Sequence, residues 1–362
     1  MKNGKLIIAS VAVVAVLVIA ATAYVMLGGD EEKGPVSLID AQDREVTIES
    51  SSRVASTNAT VTEIMCGLGA IDQLAGATSD TGIYDTNEKV MGLPDDGFPG
   101  EVVKRMGSKK ITDLGNMWHI SAESILKCNP DLVIMGGYGN DENTVKDLEA
   151  LGIPVVVSRN DNSLEDIYYN IELAGKALGK DAEAKAMVNQ MKSAIGKVLD
   201  WTKKWSGEKP RVGTFMGIGS EWGTYANGDK YLPGTPMITA LGGVNVFSGT
   251  ISEMYAQISK EAIINANPAI MIDISASDPS AITSLKTDPV LKDVDAVKNN
   301  KVFGCFNGAN NAVTITTQGF VNSYAIMAMC MYQSHLGFAI DNMLDDGNYP
   351  GYLDKFWTLI NA

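Results

Sequence analysis

The stretch "ISAESILKCNPDLVIMGG", residues 120–137, returns in altered form as "ISKEAIINANPAIMIDIS", residues 258–275. Each copy has an Ile-Ser pair, a Glu, an apolar pair, an Asn-Pro and an apolar run, at a constant offset of 138 residues. Asn-Pro is typical of a helix end, and the apolar run has the length of a buried strand. Each copy therefore predicts a helix followed by a strand.

The elements around the two copies predict two similar α/β lobes. In the first half, "RVAST" (53–57) and "IPVVVS" (153–158) predict strands, and "TVTEIMCGLGA" (60–70) predicts a helix between them. A second series of strands begins at "RVGTFMG" (211–217) and ends at "KVFGCFN" (301–307). Continuously apolar strands that alternate with helices favour parallel sheets covered by helices.

A long helix is predicted between the lobes. Residues 181–205, "DAEAKAMVNQMKSAIGKVLDWTKKW", carry apolar side chains at helical spacing without a proline, as in an amphipathic helix of about 20 residues. The predicted organisation is an N-terminal anchor or signal (1–29), a linker (30–36), an N-terminal lobe (37–162), a helical segment with the interlobe helix (163–206) and a C-terminal lobe (207–362).

The N-terminus predicts an exported protein. Lys2 and Lys5 precede an apolar stretch over residues 6–27, long enough at about 20 residues to cross a bilayer of about 30 Å. The lysines predict a cytoplasmic N-terminus, with the binding domain outside the cell membrane and anchored by this helix. A cleaved signal peptide is the alternative, because residues 21–23, "ATA", resemble a cleavage site. No cysteine lies near this segment, which excludes a lipid-modified N-terminus.

Composition and motifs exclude several functions. The formal charge of −14 excludes nucleic acid as a partner, because phosphate binding needs clustered Lys and Arg. The four cysteines lack CxxC spacing and only two histidines are present, so no metal site is predicted. The chain has no phosphate-binding loop and no nucleophile elbow. The sequence therefore predicts a protein that is not an enzyme and has no resident cofactor.

Aromatic and amide side chains recur in loops that follow the predicted strands. In open α/β sheets, ligands bind at the carboxyl ends of strands. Aromatic side chains from two lobes suit a large, partly planar or apolar ligand. The candidate ligand-binding residues are Asn58, Tyr84, Trp118, Tyr138, Trp222, Tyr225, Asn307 and Asn310.

From about Val36 to Gly337 the chain resembles the Fe/B12-type periplasmic binding proteins of ABC transporters, which carry iron–siderophore, haem and cobalamin ligands. The resemblance lies in "DREVTIESSSRVASTNATVTEIMCGLGAIDQLAGAT" (43–78), both repeat copies and "LGGVNVF" (241–247). It implies the class III architecture, in which two Rossmann-like lobes are joined by a single long α-helix. The ligand is then expected between the lobes, with a small closure because a helix is a stiff hinge.

The resemblance also implies partners. An ABC permease and its ATPase subunits are expected, with a metal chelate as the transported ligand. We favour an iron–siderophore complex, with a cobamide or haem as alternatives. A bare metal ion is disfavoured by the two histidines.

By the same resemblance, one Glu per lobe docks on the permease, and the matching residues are Glu63 and Glu261. Each also has a local explanation: Thr60 and Glu63 have the spacing of a capping box, and Glu261 would favourably meet a helix dipole. Glu123, the repeat mate of Glu261, is given only the dipole role. The chain has Asn58-Ala59 where many family members have Ser-Pro before the first helix.

Two other classes of protein remain as alternatives. A metallocofactor enzyme or cofactor-insertion protein on the same two-lobed fold would need cysteine ligands or a catalytic histidine in the cleft. The positions of Cys66, Cys128, Cys305 and Cys330 therefore separate that hypothesis from a binding protein. Nothing specific in the sequence favours an anchored sensor or adhesin.

Overall fold

The computed structural model describes residues 34–79, 98–137, 141–218, 223–274, 279–305, 319–344 and 348–362. Ser37–Ala362 form one unit, and Met1–Val36 form another. The predicted anchor over residues 6–27 lies outside the described residues. Within the described part of the chain, no helix combines the length and apolar character needed to cross a membrane.

The described elements alternate between strands and helices along most of the chain. The strands are β1 (Val36–Ile39), β2 (Glu45–Ile48), β3 (Val54–Ser56), β4 (Leu74–Ala77), β5 (Thr112–Asp113), β6 (Leu132–Met135), β7 (Val155–Val157), β8 (Arg211–Met216), β9 (Tyr225–Asn227), β10 (Val244–Asn245), β11 (Tyr255–Gln257), β12 (Ile270–Asp273), β13 (Val302–Cys305) and β14 (Met343–Leu344). The α-helices are α1 (Ala59–Gly67), α2 (Phe98–Gly107), α3 (Ala122–Leu126), α4 (Glu142–Ala150), α5 (Leu164–Ala177), α6 (Asp181–Thr202), α7 (Thr235–Ala240), α8 (Lys260–Ala266), α9 (Pro279–Thr287), α10 (Asp295–Lys298), α11 (Phe320–Met331) and α12 (Tyr349–Asn361).

The first lobe is built on a five-stranded parallel sheet in the order β5-β4-β3-β6-β7. Every residue of β3, β4, β6 and β7 is buried. Burial on both faces explains why these strands are continuously apolar instead of alternating. The parallel sheet predicted for this lobe is confirmed.

A hairpin of β1 and β2 lies against the edge strand β7. The buried Asp40 carboxylate accepts a hydrogen bond from the Val157 backbone N–H at 3.1 Å and forms an ion pair with Arg44. The Arg44 guanidinium also donates to the Val155 carbonyl at 3.1 Å. Because a buried carboxylate is costly unless it is paired and hydrogen-bonded, these contacts fix the hairpin on the lobe.

The second lobe has a seven-stranded sheet in the order β11-β9-β8-β12-β13-β14, with β10 also paired to β8. Its parallel core β10-β8-β12-β13 repeats the order β4-β3-β6-β7 of the first lobe. The difference is that β9 runs antiparallel to β8, and β11 antiparallel to β9. The sequence did not predict these two strands, because three residues are too few to show a period.

The two repeat copies adopt the same local structure. Ser121 caps α3 by accepting from the Ser124 N–H at 3.2 Å, and Ser259 caps α8 by accepting from the Ala262 N–H at 3.3 Å. The asparagine before each proline has a left-handed backbone, with φ of 48° at residue 129 and 40° at residue 267. Asparagine tolerates this conformation better than most residues, which explains its presence in both copies.

An arginine closes the end of each repeat helix. Arg53 donates to the carbonyls of Asn129, at 2.9 Å, and of Cys128. Arg211 donates to the Ala266 carbonyl at 2.6 Å. Cys128 and Ala266 are equivalent residues of the repeat; Arg53 directly precedes β3, and Arg211 is the first residue of β8. Carbonyls left without partners at the two helix ends are therefore satisfied in the same way.

The interlobe helix α6 is 22 residues long, which corresponds to roughly 33 Å. Its buried residues are Ala184, Met187, Val188, Met191, Ile195, Val198 and Thr202. Lys192 lies 4.8 Å from the centre of the Tyr168 ring on α5, and Trp201 packs edge-on against Tyr332 and against Phe356 of α12. The predicted long helix is confirmed, and it packs against α5 and against the C-terminal helices.

Candidate functional site

The turn from β3 into α1 is closed by Asn58. Its side-chain Oδ1 accepts a hydrogen bond from the Val61 N–H at 2.9 Å, and the residue is only 5% exposed. A Cβ on Gly136, at the end of the neighbouring strand β6, would lie 1.7 Å from the Asn58 amide nitrogen. The Asn58 side chain is thus the N-cap of α1 in a tightly packed turn. The ligand-binding role of Asn58 stays a prediction, and this packing does not favour it.

The cap at Asn58 corrects the prediction for Thr60, which lies inside α1 and is not its N-cap. Glu63 therefore has no capping box to complete. Glu63 is also buried, at 8% exposure. A carboxylate that docks on another protein must be accessible to it, so the structure does not support Glu63 as a docking residue.

Trp118 is the most exposed of the large apolar side chains that the structure describes, at 65%. It lies in a short 3-10 turn, Met117–His119, in the connection from the carboxyl end of β5 to α3. Asn116 fixes this turn by accepting a hydrogen bond from the Trp118 N–H at 2.9 Å. Trp118 therefore lies just before the repeat helix, as predicted, with an exposed indole of the kind that stacks on ligands. Its role in binding a ligand stays a prediction.

The ends of β6 and β7 come into close contact at the same edge of the sheet. A Cβ on Gly137 would lie 2.4 Å from the backbone of Arg159 and Asn160, so glycine is required for this approach. Asn170 of α5 holds the β7 loop by accepting from the Arg159 N–H at 2.8 Å and donating to the Arg159 carbonyl at 3.0 Å. Burial raises the pKa of Asp161, which follows in this loop, to about 7.

In the second lobe, the antiparallel pair of strands β9 and β11 carries two tyrosines in contact. The rings of Tyr225 and Tyr255 meet edge to face, with their centres 5.9 Å apart and their planes at 90°. Tyr255 is 48% exposed, and Tyr225 is partly buried. This geometry is favourable for aromatic pairs and leaves one face of the pair open.

Asp273 fixes the chain where it leaves the carboxyl end of β8. This carboxylate, fully buried at the end of β12, accepts hydrogen bonds from the backbone N–H groups of Gly217 at 3.3 Å and Ile218 at 2.7 Å. Such bonds compensate a buried carboxylate for its lost hydration. Asp273 therefore holds the start of the connection that leads to Tyr225.

The sequence missed Tyr255. Met117 and Tyr255 are equivalent by the repeat offset, and Trp118 directly follows Met117. Each repeat copy is thus preceded by an exposed aromatic side chain. This residue can be found from the sequence by extending the comparison of the two copies to the residues before their Ile-Ser pairs.

The other candidates lie outside the described residues. They are Tyr84, Tyr138, Trp222, Asn307 and Asn310. Their ligand-binding roles stay predictions.

Glu123 and Glu261 occupy equivalent places in the first turns of α3 and α8, and both are exposed. A hydrogen bond from the Ser259 hydroxyl lowers the pKa of Glu261. Three residues further along the two helices, Leu126 and Ile264 are also equivalent and exposed. The two lobes therefore present matching surfaces, each with one carboxylate and one aliphatic side chain.

The four cysteines lie in the protein interior. Cys66, Cys128, Cys305 and Cys330 are all buried free thiols. Burial raises the pKa of Cys128 to about 11 and raises the pKa of Cys305 and of Cys330 well above the usual thiol value. Thiols held in this protonated form are poor metal ligands. Among the described residues, no group of three metal-ligating side chains comes together.

Two lobes with equivalent parallel sheets, linked by one long helix, define the class III fold of periplasmic binding proteins. The chain belongs to the periplasmic binding protein family: the family model with that description matches residues 54–307, more than half of the chain. The family resemblance drawn from the sequence is confirmed.

Individual relatives are distant. The chain is 24% identical over 273 residues to the uncharacterized ABC transporter substrate-binding lipoprotein YvrC of Bacillus subtilis, covering 74% of this chain and 77% of YvrC. It is 20% identical over 229 residues to a vitamin B12-binding protein of Yersinia pestis, covering 63% and 78% of the two chains. The periplasmic haem-binding protein RhuT from Roseiflexus sp. RS-1 superimposes with a TM-score of 0.62 at 20% identity, over 79% of this chain and 99% of RhuT. That likeness shows the fold.

Proposed function

We propose that this protein is the extracytoplasmic substrate-binding component of an ABC importer and that it binds a metal chelate between its two lobes. The observation that carries the proposal is the exposed aromatic side chain before each repeat copy, Trp118 in one lobe and Tyr255 in the other. Aromatic faces supply stacking and apolar contact to large ligands with planar or apolar surfaces.

The chemical class of the ligand follows from the family and from these side chains. The sequence favours an iron–siderophore complex. Similarity to the vitamin B12-binding protein supports a cobamide as the second candidate, because a corrin offers a broad apolar face to an aromatic ring. Haem is the third candidate.

The buried positions of the four cysteines support a binding protein that is not an enzyme. An enzyme or cofactor-insertion protein on this fold would need cysteines in the cleft, whereas all four lie in the interior as protonated thiols. We therefore favour a binding protein over the metallocofactor alternative.

Docking on the permease is proposed for Glu123 and Glu261 together. They are exposed, ionisable and equivalent in the two lobes, whereas Glu63 is buried. An importer permease built from two like halves would meet one such surface with each half. The family expectation of one glutamate per lobe is thus retained, with Glu123 in place of Glu63.

Tethering at the outer face of the membrane is proposed for residues 6–27. The basis is the length of this apolar stretch and the lysines before it. Fractionation of cells expressing the full chain, with N-terminal sequencing of the mature protein, distinguishes the retained helix from the cleaved signal peptide.

Ligand titrations test the binding role. We expect saturable binding, in the micromolar range or tighter, of one among ferrichrome, cyanocobalamin and haem, measured by calorimetry on residues 37–362. Trp118→Ala is expected to weaken this binding about tenfold through loss of stacking area. Trp205→Phe is the matched control, because Trp205 packs against Tyr332 and His335 at the end of the interlobe helix.

The proposal fails if none of the three chelates binds at micromolar concentration. If a chelate binds but Trp118→Ala has no effect on its affinity, the proposed ligand class is retained and the proposed role of Trp118 in the site is rejected.

A further inference from the structure

A groove of about 540 Å³ lies between the interlobe helix α6 and the C-terminal helix α12. Asn189, Gln190, Ala194 and Lys197 of α6 line one side, and Trp357 and Asn361 of α12 line the other. Neither helix carries a candidate residue of the interlobe site. A groove of this size accommodates a small organic molecule.

Trp357 supplies an unused hydrogen-bond donor in the wall of this groove. The residue is 2% exposed, and its indole Nε1–H has no hydrogen-bond partner among the described residues. Buried indole N–H groups normally find a partner, because an unsatisfied donor loses its hydration without compensation. Because the Nε1 atom itself is buried, an acceptor on a molecule in the groove would reach it once the indole ring turned outward.

Lys197 adds a positive charge to the same groove. Its ammonium donates to the Asn361 side-chain oxygen at 2.7 Å, and the Asn361 amide donates in turn to the Trp357 carbonyl at 2.7 Å. No ion pair joins Lys197 to a carboxylate within the described ranges. The cation is thus held beside Trp357 by a neutral amide, which an anionic oxygen can displace favourably.

We propose that this groove is a second ligand site, which takes a small aromatic or alicyclic carboxylate. The carboxylate would accept hydrogen bonds from Lys197 and from the Trp357 indole. Its ring would lie on Trp357 and Ala194, and the carboxamides of Asn189 and Gln190 would contact polar substituents. The helix α6 joins the lobes, and α12 packs on the last turns of α6. A molecule bound between them would therefore stabilise the interlobe helix.

Benzoate and benzamide test the site as a matched pair, since they share a shape and differ in charge. In ¹⁵N-labelled protein, benzoate is expected to shift the Trp357 indole resonance saturably at millimolar concentration. Benzamide is expected to bind about tenfold more weakly, because it cannot form the charge-assisted bond to Lys197. The Lys197→Met variant should bind benzoate more weakly than wild type by the same factor.

Lys185→Met is the control, because Lys185 is an exposed lysine of the same helix that does not line the groove. Equal binding of benzoate and benzamide overturns the proposal, as does wild-type affinity in Lys197→Met. An indole resonance that does not move with benzoate also overturns it. Chelate binding by Lys197→Met is expected to match wild type, which separates this site from the interlobe cleft.

Discussion

At the residue scale, Asn58 has two interpretations that its type alone cannot separate. Asparagine is common in binding loops and is also among the preferred N-caps. Its extended backbone, with φ of −154° and ψ of 167°, and its bond to the Val61 N–H make it the cap of α1. Thr60 is also an acceptable cap by type, so the backbone geometry decides where this helix starts.

Asp161 gives a pH-dependent prediction. Burial, followed by the nearby Asp166 charge, raises the pKa of this carboxyl from 3.8 to about 7 in the folded protein. The folded state then holds a proton that the unfolded state has already released between pH 4 and 7. The contribution of Asp161 to stability therefore falls as pH rises through this window and stays low above it.

Asp161→Asn is expected to raise the free energy of unfolding at pH 8 by about 1–2 kcal/mol, a value discounted because the side chain retains some contact with water. At pH 4 the variant and wild type should unfold alike in urea. Asp200→Asn, an exposed site with a surface ion pair to Lys203, should change little at either pH. If Asp161→Asn differs from wild type in free energy of unfolding by the same amount at pH 4 and pH 8, the raised pKa of Asp161 is contradicted.

At the element scale, the repeat helices α3 and α8 show how far local sequence fixes local structure. Each has a serine cap, a buried isoleucine, a left-handed asparagine and an arginine on its last carbonyls. These features depend on residues close in sequence or on the adjacent central strand. The short strands β9 and β11 form only because they pair with β8 and with each other, which no local period indicates.

The packing of α5 on α6 predicts opposite effects for two glycines. Gly196→Ala in α6 is expected to stabilise the protein by about 1 kcal/mol, because a Cβ there meets nothing within 4 Å and alanine favours the helix. Gly175→Ala in α5 is expected to destabilise it by about 1–3 kcal/mol, because its Cβ would lie 2.3 Å from the Cβ of Ala184.

Denaturant unfolding of both glycine variants measures these changes. Because the substitution is the same, the difference between them reports the helix contact alone. Equal effects at the two sites would mean that α5 and α6 do not approach as closely as the structure shows.

At the scale of the whole molecule, exposure decides which carboxylates are available to a partner. Glu63 matches the family by motif, but it is buried. Glu123 and Glu261 are exposed at equivalent places of two lobes that repeat one topology. A surface with this internal symmetry suits a partner with two like halves.

Charge reversal tests this docking surface. Glu123→Lys combined with Glu261→Lys is expected to abolish ligand uptake in cells that carry the cognate permease, because two attractive contacts become repulsive. Ligand affinity should stay at the wild-type value, since neither residue belongs to the proposed interlobe site. Calorimetry measures the affinity, and accumulation of labelled ligand measures the uptake.

The control for docking is the pair Glu142→Lys and Glu253→Lys, which makes the same change in net charge at two other exposed glutamates. Normal uptake in the control with loss in the test pair supports the assignment. If both double variants lose uptake, the loss is an effect of net charge and gives no support for docking by Glu123 and Glu261.

The sequence by itself determined the alternation of strands and helices, the duplication of the lobes, the interlobe helix and the family. Periodicity, caps and turn residues act over a few positions, so they are legible along the chain. Only the tertiary structure decided that Glu63 is buried, that Tyr225 pairs with Tyr255, and that Trp357 lies in a groove with Lys197. The reason is physical: burial and pairing depend on contacts between residues far apart in sequence, and a single residue type serves the fold or a ligand equally well until its neighbours are known.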